Sequence, residues 1–231
     1  MSTSSSNGLP LPPANLIHLV TGSYDANWFL EGGKLAVQSL HDVFKPHGVS
    51  VQDFRTIFDF GCGCGRIIRH WKFLPSGIYG CDYNPLLINW CLENLPFAHF
   101  EKNDLEPPLP YADSLFEFVY VFSVFTHLPE ATQWQWIKEL FRVLEPGGFL
   151  VLTTHGEYYF DRLSPLEQEA FRAGQVVVWN RNVAGSNDCG AYHPMEYVRD
   201  KLAPSFELLS FIPSGFKGIP YQDLYLFRKP L

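Results

Sequence analysis

The sequence predicts an α/β fold with a doubly wound, mostly parallel sheet, and three observations support this. Short apolar strands alternate with helical segments between residues 56 and 153, as right-handed βαβ units require. A glycine-rich turn, Gly61 to Gly65, directly follows the first strand, where such folds bind ligands. The two closing strands are joined by a Pro/Gly-rich loop without a helix, so we expect them to be antiparallel. We therefore expect a seven-stranded sheet with an antiparallel last strand, plus a small lid from inserted segments.

The N-terminal region is expected to precede the sheet. Residues 1–15 are mostly Ser, Asn, Gly and Pro, and residues 1–22 are predicted to form a flexible tail. Apolar residues from Asn27 to Phe44 recur at helical spacing, but Gly32-Gly33 interrupts them. This pattern predicts a broken helix or two short ones.

The central region alternates between strand and helix patterns. Pro85 suits the first position of a helix, because proline has no amide hydrogen there to lose. The predicted strands span residues 56–60, 78–81, 98–101, 116–122 and 149–153, and the predicted helices span 65–73, 85–94 and 131–144.

The pattern changes after Thr154. We predict one domain over residues 23–231, with its core at 55–154 and 206–231 and a substrate lid at 23–54 and 155–205. The later elements are a helical region at 156–173, a strand at 176–179, a polar turn at 180–190, a helix at 194–202 and closing strands at 206–212 and 221–227.

Composition excludes several classes of protein. The chain has 231 residues, of which 46% are hydrophobic and 18% charged, too apolar for a disordered protein. Its 17 basic and 24 acidic side chains give a net charge of −7. Because nucleic-acid binding depends on a basic surface, we expect no nucleic-acid partner. A small uncharged or cationic partner fits this charge better.

No targeting or membrane segment is expected. The sequence has no run of 18 or more apolar residues, and Met1 to Gly8 lacks the features of a secretory signal. We therefore expect a cytoplasmic protein without a membrane partner. The five cysteines include Cys62-x-Cys64, a spacing too short for a zinc knuckle. We interpret them as small buried hydrophobic residues and expect no metal site.

The glycine turn distinguishes between ligands by its spacing. A dinucleotide site requires Gly-x-Gly-x-x-Gly, whereas this turn places glycines at 61, 63 and 65 and an acid, Asp59, two residues before the first. A carboxylate would repel a pyrophosphate at this position, but it would attract a cationic amine. Glycines are needed where the turn requires positive φ or where a ligand approaches the backbone closely.

Further acids follow the next two strands. Asp82 ends the second strand, 21 residues after Gly61, where a carboxylate can accept hydrogen bonds from both ribose hydroxyls. Asp104 follows the third strand and could accept from an exocyclic amine or simply cap a loop. The fourth strand ends before Ser123 to His127, and such strand ends meet at one edge of the sheet.

Together these features resemble the class I S-adenosylmethionine-dependent methyltransferases of small-molecule type, whose fold is Rossmann-like. The resemblance covers about residues 55–154. It rests on the Asp59–Gly65 turn, Asp82, Asn103-Asp104-Leu105, the segment 116–128 and Leu140–Gly148. Glu117 stands where the family commonly has Asp.

The resemblance implies a set of cofactor-binding residues for S-adenosyl-L-methionine. At the methionine end, Gly61, Gly63 and Gly65 would face the methionine and sugar, Asp59 would orient the ammonium group, and Phe122 would line the pocket.

The adenosine end is implied in the same way. Asp82 would bind ribose, Asp104 with the Leu105 amide would bind adenine, and Tyr83 would pack on the adenine face. The product would be S-adenosyl-L-homocysteine.

The predicted function is methyl transfer to an O, N, S or C atom of a small molecule. A base is needed only where the acceptor must lose a proton, and the candidates are His155 and His193 first, then His127. Each histidine could instead have only a structural role. The alternatives are an inactive cofactor-binding partner subunit and, less favoured, an NAD-binding oxidoreductase.

The sequence is rich in aromatic residues, 16% of the total, and many lie outside the matched region. The residues from Tyr158 to Phe160, with Trp179, could form a substrate lid or ordinary core. We expect the outlying rings to wall a pocket for an aromatic or apolar acceptor. These rings are Tyr24, Trp28, Phe29, Tyr158, Tyr159, Phe160, Phe171, Trp179 and Tyr192. The sequence indicates neither the acceptor's identity nor an oligomeric state.

Overall fold

A mixed β-sheet runs through the protein in the computed structural model, which describes residues 8–218 and 221–231. Its strands within these ranges are β1 (Thr56–Phe60), β2 (Gly77–Asp82), β3 (His99–Lys102), β4 (Phe116–Val121), β5 (Leu144–His155), β6 (Val177–Trp179), β7 (Gly190–Tyr192), β8 (Glu207–Phe216) and β9 (Gln222–Arg228). Strands β3, β2, β1, β4 and β5 are parallel in that order. Strand β9 pairs antiparallel with β5 and with β8. The predicted doubly wound, mostly parallel sheet with an antiparallel last strand is confirmed.

Two short strands extend the sheet beyond the seven that we expected. Strands β6 and β7 form an antiparallel pair, and β7 joins β5 only where His155 lies opposite Tyr192. The sequence predicts β6 but includes the start of β7 in a polar turn. This small addition brings the segment after β5 back to the carboxyl end of that strand.

The helices occupy the connections between strands. They are α1 (Ala14–Thr21), α2 (Ala26–Phe44), α3 (Pro85–Asn94), α4 (Glu130–Val143), α5 (Pro165–Arg172) and α6 (Met195–Tyr197), the last continuing as a π-helical turn over Val198–Leu202. Short 3-10 turns lie at Lys45–His47, Val51–Asp53, Ile68–Trp71, Phe125–His127, Glu157–Arg162 and Arg181–Val183. Among the described residues, none of the helices has the length and apolar character needed to cross a membrane.

The prediction of a flexible tail through residue 22 is wrong for the part that the structure describes. Helix α1 buries Leu16 and Ile17 in the main core. The Arg69 guanidinium donates to the Pro10 carbonyl at 2.9 Å. Apolar side chains between residues 16 and 20 supply a buried helix face that the surrounding Ser and Pro obscure. Residues 1–7 lie outside the described ranges.

The predicted break at Gly32-Gly33 does not occur, and α2 is continuous over 19 residues. Both glycines are buried. A Cβ at Gly33 would lie 2.4 Å from the Arg66 carbonyl oxygen. The glycine pair therefore permits close packing of α2 on the segment after β1, and this packing outweighs its low helix propensity.

The predicted helix over residues 65–73 is also wrong. Only Ile68–Trp71 forms a 3-10 turn there. Ile67 and Ile68 are β-branched, which lowers their helix propensity, and both are buried. Tertiary packing fixes this segment in a tight, irregular path below the glycine turn.

Candidate functional site

A cavity of about 510 Å³ opens where the parallel strands end. Its walls include the ends of β1, β2 and β5 and the residues after β3 and β4. Residues 19–22 of helix α1 and the adjoining turn close one side. Ligands bind at this edge of doubly wound sheets, so we take the cavity as the candidate site.

The glycine turn forms the floor of the cavity. Gly61, Gly63 and Gly65 all have positive φ, at 82°, 57° and 72°, a region that side chains with a Cβ avoid. Gly61 and Gly63 line the cavity. Gly65 does not line it, and a Cβ there would lie 2.4 Å from the Leu95 Cδ1 atom. The expectation that Gly65 faces the cofactor is therefore wrong, because this glycine packs against the end of α3.

Asp59 presents a buried hydrogen-bond acceptor to the cavity. The residue is 3% exposed and lines the cavity. Tyr120 hydrogen-bonds its carboxyl group, and burial raises the carboxyl pKa to about 8. Its Oδ2 atom has no hydrogen-bond partner within the described part of the chain. An unsatisfied buried acceptor is costly, and a bound ammonium group would satisfy it.

Asp82 links the second strand to the glycine turn. Its Oδ2 atom accepts a hydrogen bond from the Gly63 amide at 3.0 Å, and Oδ1 accepts from the Asn84 amide at 2.9 Å. Burial raises its pKa, while the two amides oppose that shift. The carboxylate lines the cavity and retains lone pairs for further donors. Its placement fits the predicted ribose contact.

The third strand end offers an acceptor that sequence reasoning missed. Asn103 is buried, and its Oδ1 atom lacks a partner among residues 8–218 and 221–231. Its Nδ2 group donates to the Asp104 carbonyl at 2.7 Å. The Asp104 side chain is 87% exposed and pairs with Lys102 at 3.3 Å, although Asp104 and Leu105 both line the cavity. The sequence predicted Asp104 as the adenine contact, whereas the side-chain amide of Asn103 is the group that burial leaves without a hydrogen-bond partner.

Residues 181–189, which we call the covering loop, lie over the part of the cavity that Tyr83 and Leu105 line. The Tyr83 hydroxyl donates to the Gly185 carbonyl at 2.9 Å, and the Gly185 amide donates to the His127 carbonyl at 2.8 Å. A Cβ at Gly185 would lie 2.8 Å from the Leu105 Cδ2 atom. The loop thereby connects both ends of the cavity. Tyr83 lines the cavity, but its hydroxyl also holds this loop.

The opposite end of the cavity carries a connected polar network. The Thr153 hydroxyl donates to the Gln222 Oε1 atom at 2.7 Å, and the Gln222 Nε2 group donates to the Ser123 hydroxyl at 2.8 Å. The same Nε2 group approaches the His155 Nε2 atom at 3.4 Å. Sequence reasoning missed Gln222, because it lies on β9, 99 residues from Ser123. Phe122 also lines the cavity.

The three candidate bases lie in different surroundings. His127 and His155 line the cavity, with ring centroids 6.2 Å apart. The His127 Nδ1–H donates to the Cys189 carbonyl at 2.8 Å, which leaves Nε2 unprotonated in the neutral ring. Burial lowers the pKa of His127, and burial with the neighbouring His127 lowers that of His155 to about 3.

His193 does not reach the cavity. It is fully buried, its Nε2–H donates to the Gln133 Oε1 atom at 3.0 Å, and burial lowers its pKa to about 3. The structure therefore removes it from the candidate bases and gives it a packing role.

The expected aromatic wall is also absent from the cavity that the described residues form. None of the nine outlying rings lines it. Tyr159, Phe171 and Tyr192 instead form a small separate core with Leu163 and Val177. These rings thus stabilise the segment after β5. They give no support for an aromatic acceptor.

The cysteines are buried and free, as we predicted. Within the described ranges, no cluster of three or more His, Cys, Asp or Glu side chains is arranged to hold a metal ion.

Comparisons with known proteins identify the kind of domain that carries this cavity. Residues 58–152 match the family model described as "Methyltransferase domain". A tRNA N(3)-cytidine methyltransferase of Gallus gallus is 29% identical over 167 residues, covering 66% of this chain and 42% of the relative. A sterol 24-C-methyltransferase of Gibberella zeae is 30% identical over 195 residues, covering 80% of this chain and 45% of the relative. The chain therefore spans less than half the length of these relatives.

A solved structure shows the same fold. An S-adenosylmethionine-dependent methyltransferase from Methanosarcina mazei superposes with a TM-score of 0.59 at 20% identity, covering 81% of this chain and 97% of that one. The matched domain and the strand order lead to one assignment: residues 58–152 form a methyltransferase domain, and the chain has the fold of the S-adenosylmethionine-dependent methyltransferases.

Proposed function

We propose that the protein transfers a methyl group from S-adenosylmethionine to an oxygen or nitrogen atom of a small, polar acceptor. The observation that carries this proposal is the division of the cavity. One end offers Asp59, Asp82 and Asn103 to the cofactor, and the other offers His127, with its Nε2 lone pair, to an acceptor proton.

The cofactor, when bound, supplies a sulfonium methyl group that is already strongly electrophilic. Alignment of the acceptor and exclusion of water can therefore provide much of the rate. Asp59 would hold the ammonium group, Asp82 the ribose, and Asn103 or Asp104 the adenine amine. Phe122 would line the methionine end, as the family resemblance implies.

The acceptor end provides hydrogen-bonding side chains whose orientation is fixed by contacts with one another. The Gln222 amide is oriented by Thr153 and holds the Ser123 hydroxyl. In our proposal the acceptor docks beside Ser123 and His155 and transfers its proton to the His127 Nε2 atom. The Cys189 carbonyl stabilises the His127 tautomer that this step requires. Because the pKa of His155 is low, this histidine is a neutral positioning group rather than a proton acceptor near pH 7.

Charge supports a small acceptor over a nucleic acid. One relative is named for tRNA methylation, so tRNA must be tested directly. The chain carries a net charge of −7, however, and binding of a polyanion would oppose that charge. No sequence feature or contact in the described residues favours a second function.

The proposal is tested by measuring S-adenosylhomocysteine release with a panel of small alcohols, phenols and amines, and separately with total tRNA. We expect turnover with at least one small acceptor and none with tRNA. Turnover with tRNA alone would contradict the acceptor class. Cofactor binding without turnover on any acceptor would favour the inactive partner subunit.

The proton transfer is tested with His127→Ala once an acceptor is found. We expect turnover to fall by about 100-fold or more, since general bases contribute rates of this order, with cofactor affinity nearly unchanged. His47→Ala, at an exposed histidine outside the cavity, is the matched control and should retain full turnover. Full turnover in His127→Ala would remove the base from the mechanism.

A further inference from the structure

A second concave region, which we call the α4 groove, lies between helix α4 and residues 201–206. Its volume is about 300 Å³. The described residues that line this groove are all different from those that line the cavity at the strand ends. The α4 groove is therefore separate from the candidate active site, and the proposed mechanism gives it no role.

The walls of the α4 groove are mainly apolar. Trp134, Ile137 and Phe141 line it, and because they follow one another at intervals of three and four residues, they share one face of the helix. Phe206 lines the opposite wall and packs edge to face on Phe141, with ring centroids 5.1 Å apart. The Trp134 side chain is 43% exposed. Concave surfaces with accessible aromatic walls are typical of ligand sites, so this groove can bury an apolar body.

The charged side chains in the α4 groove are both cationic. Lys138 and Lys201 line it, with no Asp or Glu among the described lining residues. Neither lysine forms an ion pair of 4.0 Å or less within the described ranges. The Lys201 ammonium donates to the Gly174 carbonyl at 2.9 Å, but an ammonium has three donors. Both cations can therefore bind an anion, although the whole chain has a net charge of −7.

A third positive charge lies behind one wall of the α4 groove. The Lys229 ammonium lies 4.4 Å from the centroid of the Phe141 ring. It donates to the Phe141 and Leu144 carbonyls, each at 2.7 Å, and these neutral partners do not cancel its charge. Asp113, the acid that influences the Lys229 ammonium, is itself paired with Arg142 at 2.6 Å. The charge behind the wall therefore adds to the attraction of an anion.

We propose that the α4 groove is a second ligand site, which binds a small molecule with an apolar body and one carboxylate. The body contacts Trp134 and Phe206, and the carboxylate binds the ammonium groups of Lys138 and Lys201. The size of the groove favours a small molecule over a protein segment, because small-ligand pockets have volumes of roughly 300–1,000 Å³. The proposal does not depend on the proposed function, since it concerns a site outside the cavity.

The test uses two probes of similar shape that differ in charge. 2-Naphthoate carries a carboxylate, and 2-naphthalenemethanol carries a neutral hydroxymethyl group in its place. Both are titrated by calorimetry against the wild-type chain at low ionic strength. We expect one site per chain for 2-naphthoate and a preference of about fivefold over the alcohol. The preference should decrease at high salt, because ions screen exposed lysines.

Three variants locate the binding. Lys138→Gln/Lys201→Gln should lose the preference and bind 2-naphthoate as weakly as the alcohol. Lys34→Gln/Lys45→Gln is the matched control, since it removes two exposed lysines outside the groove, and it should retain the preference. Ser205→Trp places an indole at an exposed position that lines the groove, and it should abolish binding of both probes. Circular dichroism shows whether each variant is folded. If Ser205→Trp fails to fold, the lysine variants decide the question.

A titration of 2-naphthoate in excess S-adenosylhomocysteine separates the groove from the cavity, and we expect unchanged binding. Absence of 2-naphthoate binding, equal affinity for the two probes, or unchanged affinity in Lys138→Gln/Lys201→Gln would overturn the assignment. Displacement by S-adenosylhomocysteine would place the probe in the cavity instead.

A second copy of the chain is the other occupant that the test covers. A dimer that forms with increasing concentration, is lost in Ser205→Trp and excludes 2-naphthoate would show that a second copy covers the groove, and would overturn the proposal. Failure of the proposed function would appear separately, as absence of methyl transfer while 2-naphthoate still binds.

Discussion

The two ends of the cavity differ in how their polar groups are satisfied. At the cofactor end, Asp59 Oδ2 and Asn103 Oδ1 are buried acceptors without partners in the described ranges. At the acceptor end, Thr153, Gln222 and Ser123 bond to one another. Unsatisfied buried acceptors define the donors that a ligand must bring. Groups that already bond to one another do not indicate which donors or acceptors a ligand must bring. The chemistry of the cofactor can therefore be inferred more specifically than that of the acceptor.

The difference predicts two distinct responses to substitution. Changes at the cofactor end should affect ligand affinity more than stability, while changes in the acceptor network should do the reverse. The following predictions test this division, beginning with the largest effect.

Asp82→Ala should weaken S-adenosylhomocysteine binding by about 100-fold, because two charge-assisted hydrogen bonds to ribose are lost. The variant also frees the Gly63 amide that Asp82 holds, which loosens the glycine turn. Calorimetric titration measures the loss. Equal affinities of variant and wild type would refute the ribose contact.

Gln222→Leu should lower the free energy of unfolding by about 1–3 kcal/mol, since it leaves the buried Thr153 hydroxyl without its acceptor. Binding of S-adenosylhomocysteine should change little. Urea unfolding followed by circular dichroism gives the stability, and titration gives the affinity. A large loss of cofactor affinity at unchanged stability would contradict the division between the two ends.

Cofactor binding should release a proton from Asp59. The raised pKa of about 8 means that the free protein holds this carboxyl protonated near pH 7. The ammonium group favours the ionised form, so binding at pH 7 should release about one proton, and affinity should fall as pH decreases from 8 to 6. Calorimetry in buffers of different ionisation enthalpy measures the release.

Asp59→Asn is the control for this pH effect. It cannot ionise at this position, so any proton still released must come from the ligand or from another group. Identical proton release by the wild type and Asp59→Asn would rule out Asp59 as its source.

Asp104→Ala should have the smallest effect, a loss of S-adenosylhomocysteine affinity of about threefold. Its carboxylate is exposed and already paired with Lys102, so solvent weakens any contact with adenine. Asn103→Ala should weaken binding more than Asp104→Ala does. The reverse order, measured by the same titration, would restore Asp104 as the principal adenine contact.

Local patterns explain which parts were predictable from sequence. Strands β1 to β5, the antiparallel β9 and the acids at the strand ends follow from short-range alternation and spacing. Helix α1 was missed because a short apolar face lies within a Ser- and Pro-rich segment. Its burial depends on contacts such as that of Pro10 with Arg69, 59 residues away.

The missed site residues share this dependence on distant contacts. Gln222 reaches Ser123 across 99 residues, and Arg66, which lines the cavity, bonds Gly218 across 152. The covering loop joins Tyr83 to Gly185 across 102 residues. The glycine turn and its acids form one local motif, whereas these groups meet only after the sheet has assembled.

The central claim is that this cavity binds S-adenosylmethionine rather than a dinucleotide. Equilibrium titration of the wild-type protein with S-adenosylhomocysteine, alone and in the presence of excess NAD, tests it most directly. We predict saturable binding at one site per chain that NAD does not displace. Absence of S-adenosylhomocysteine binding, or its displacement by NAD, would contradict the account.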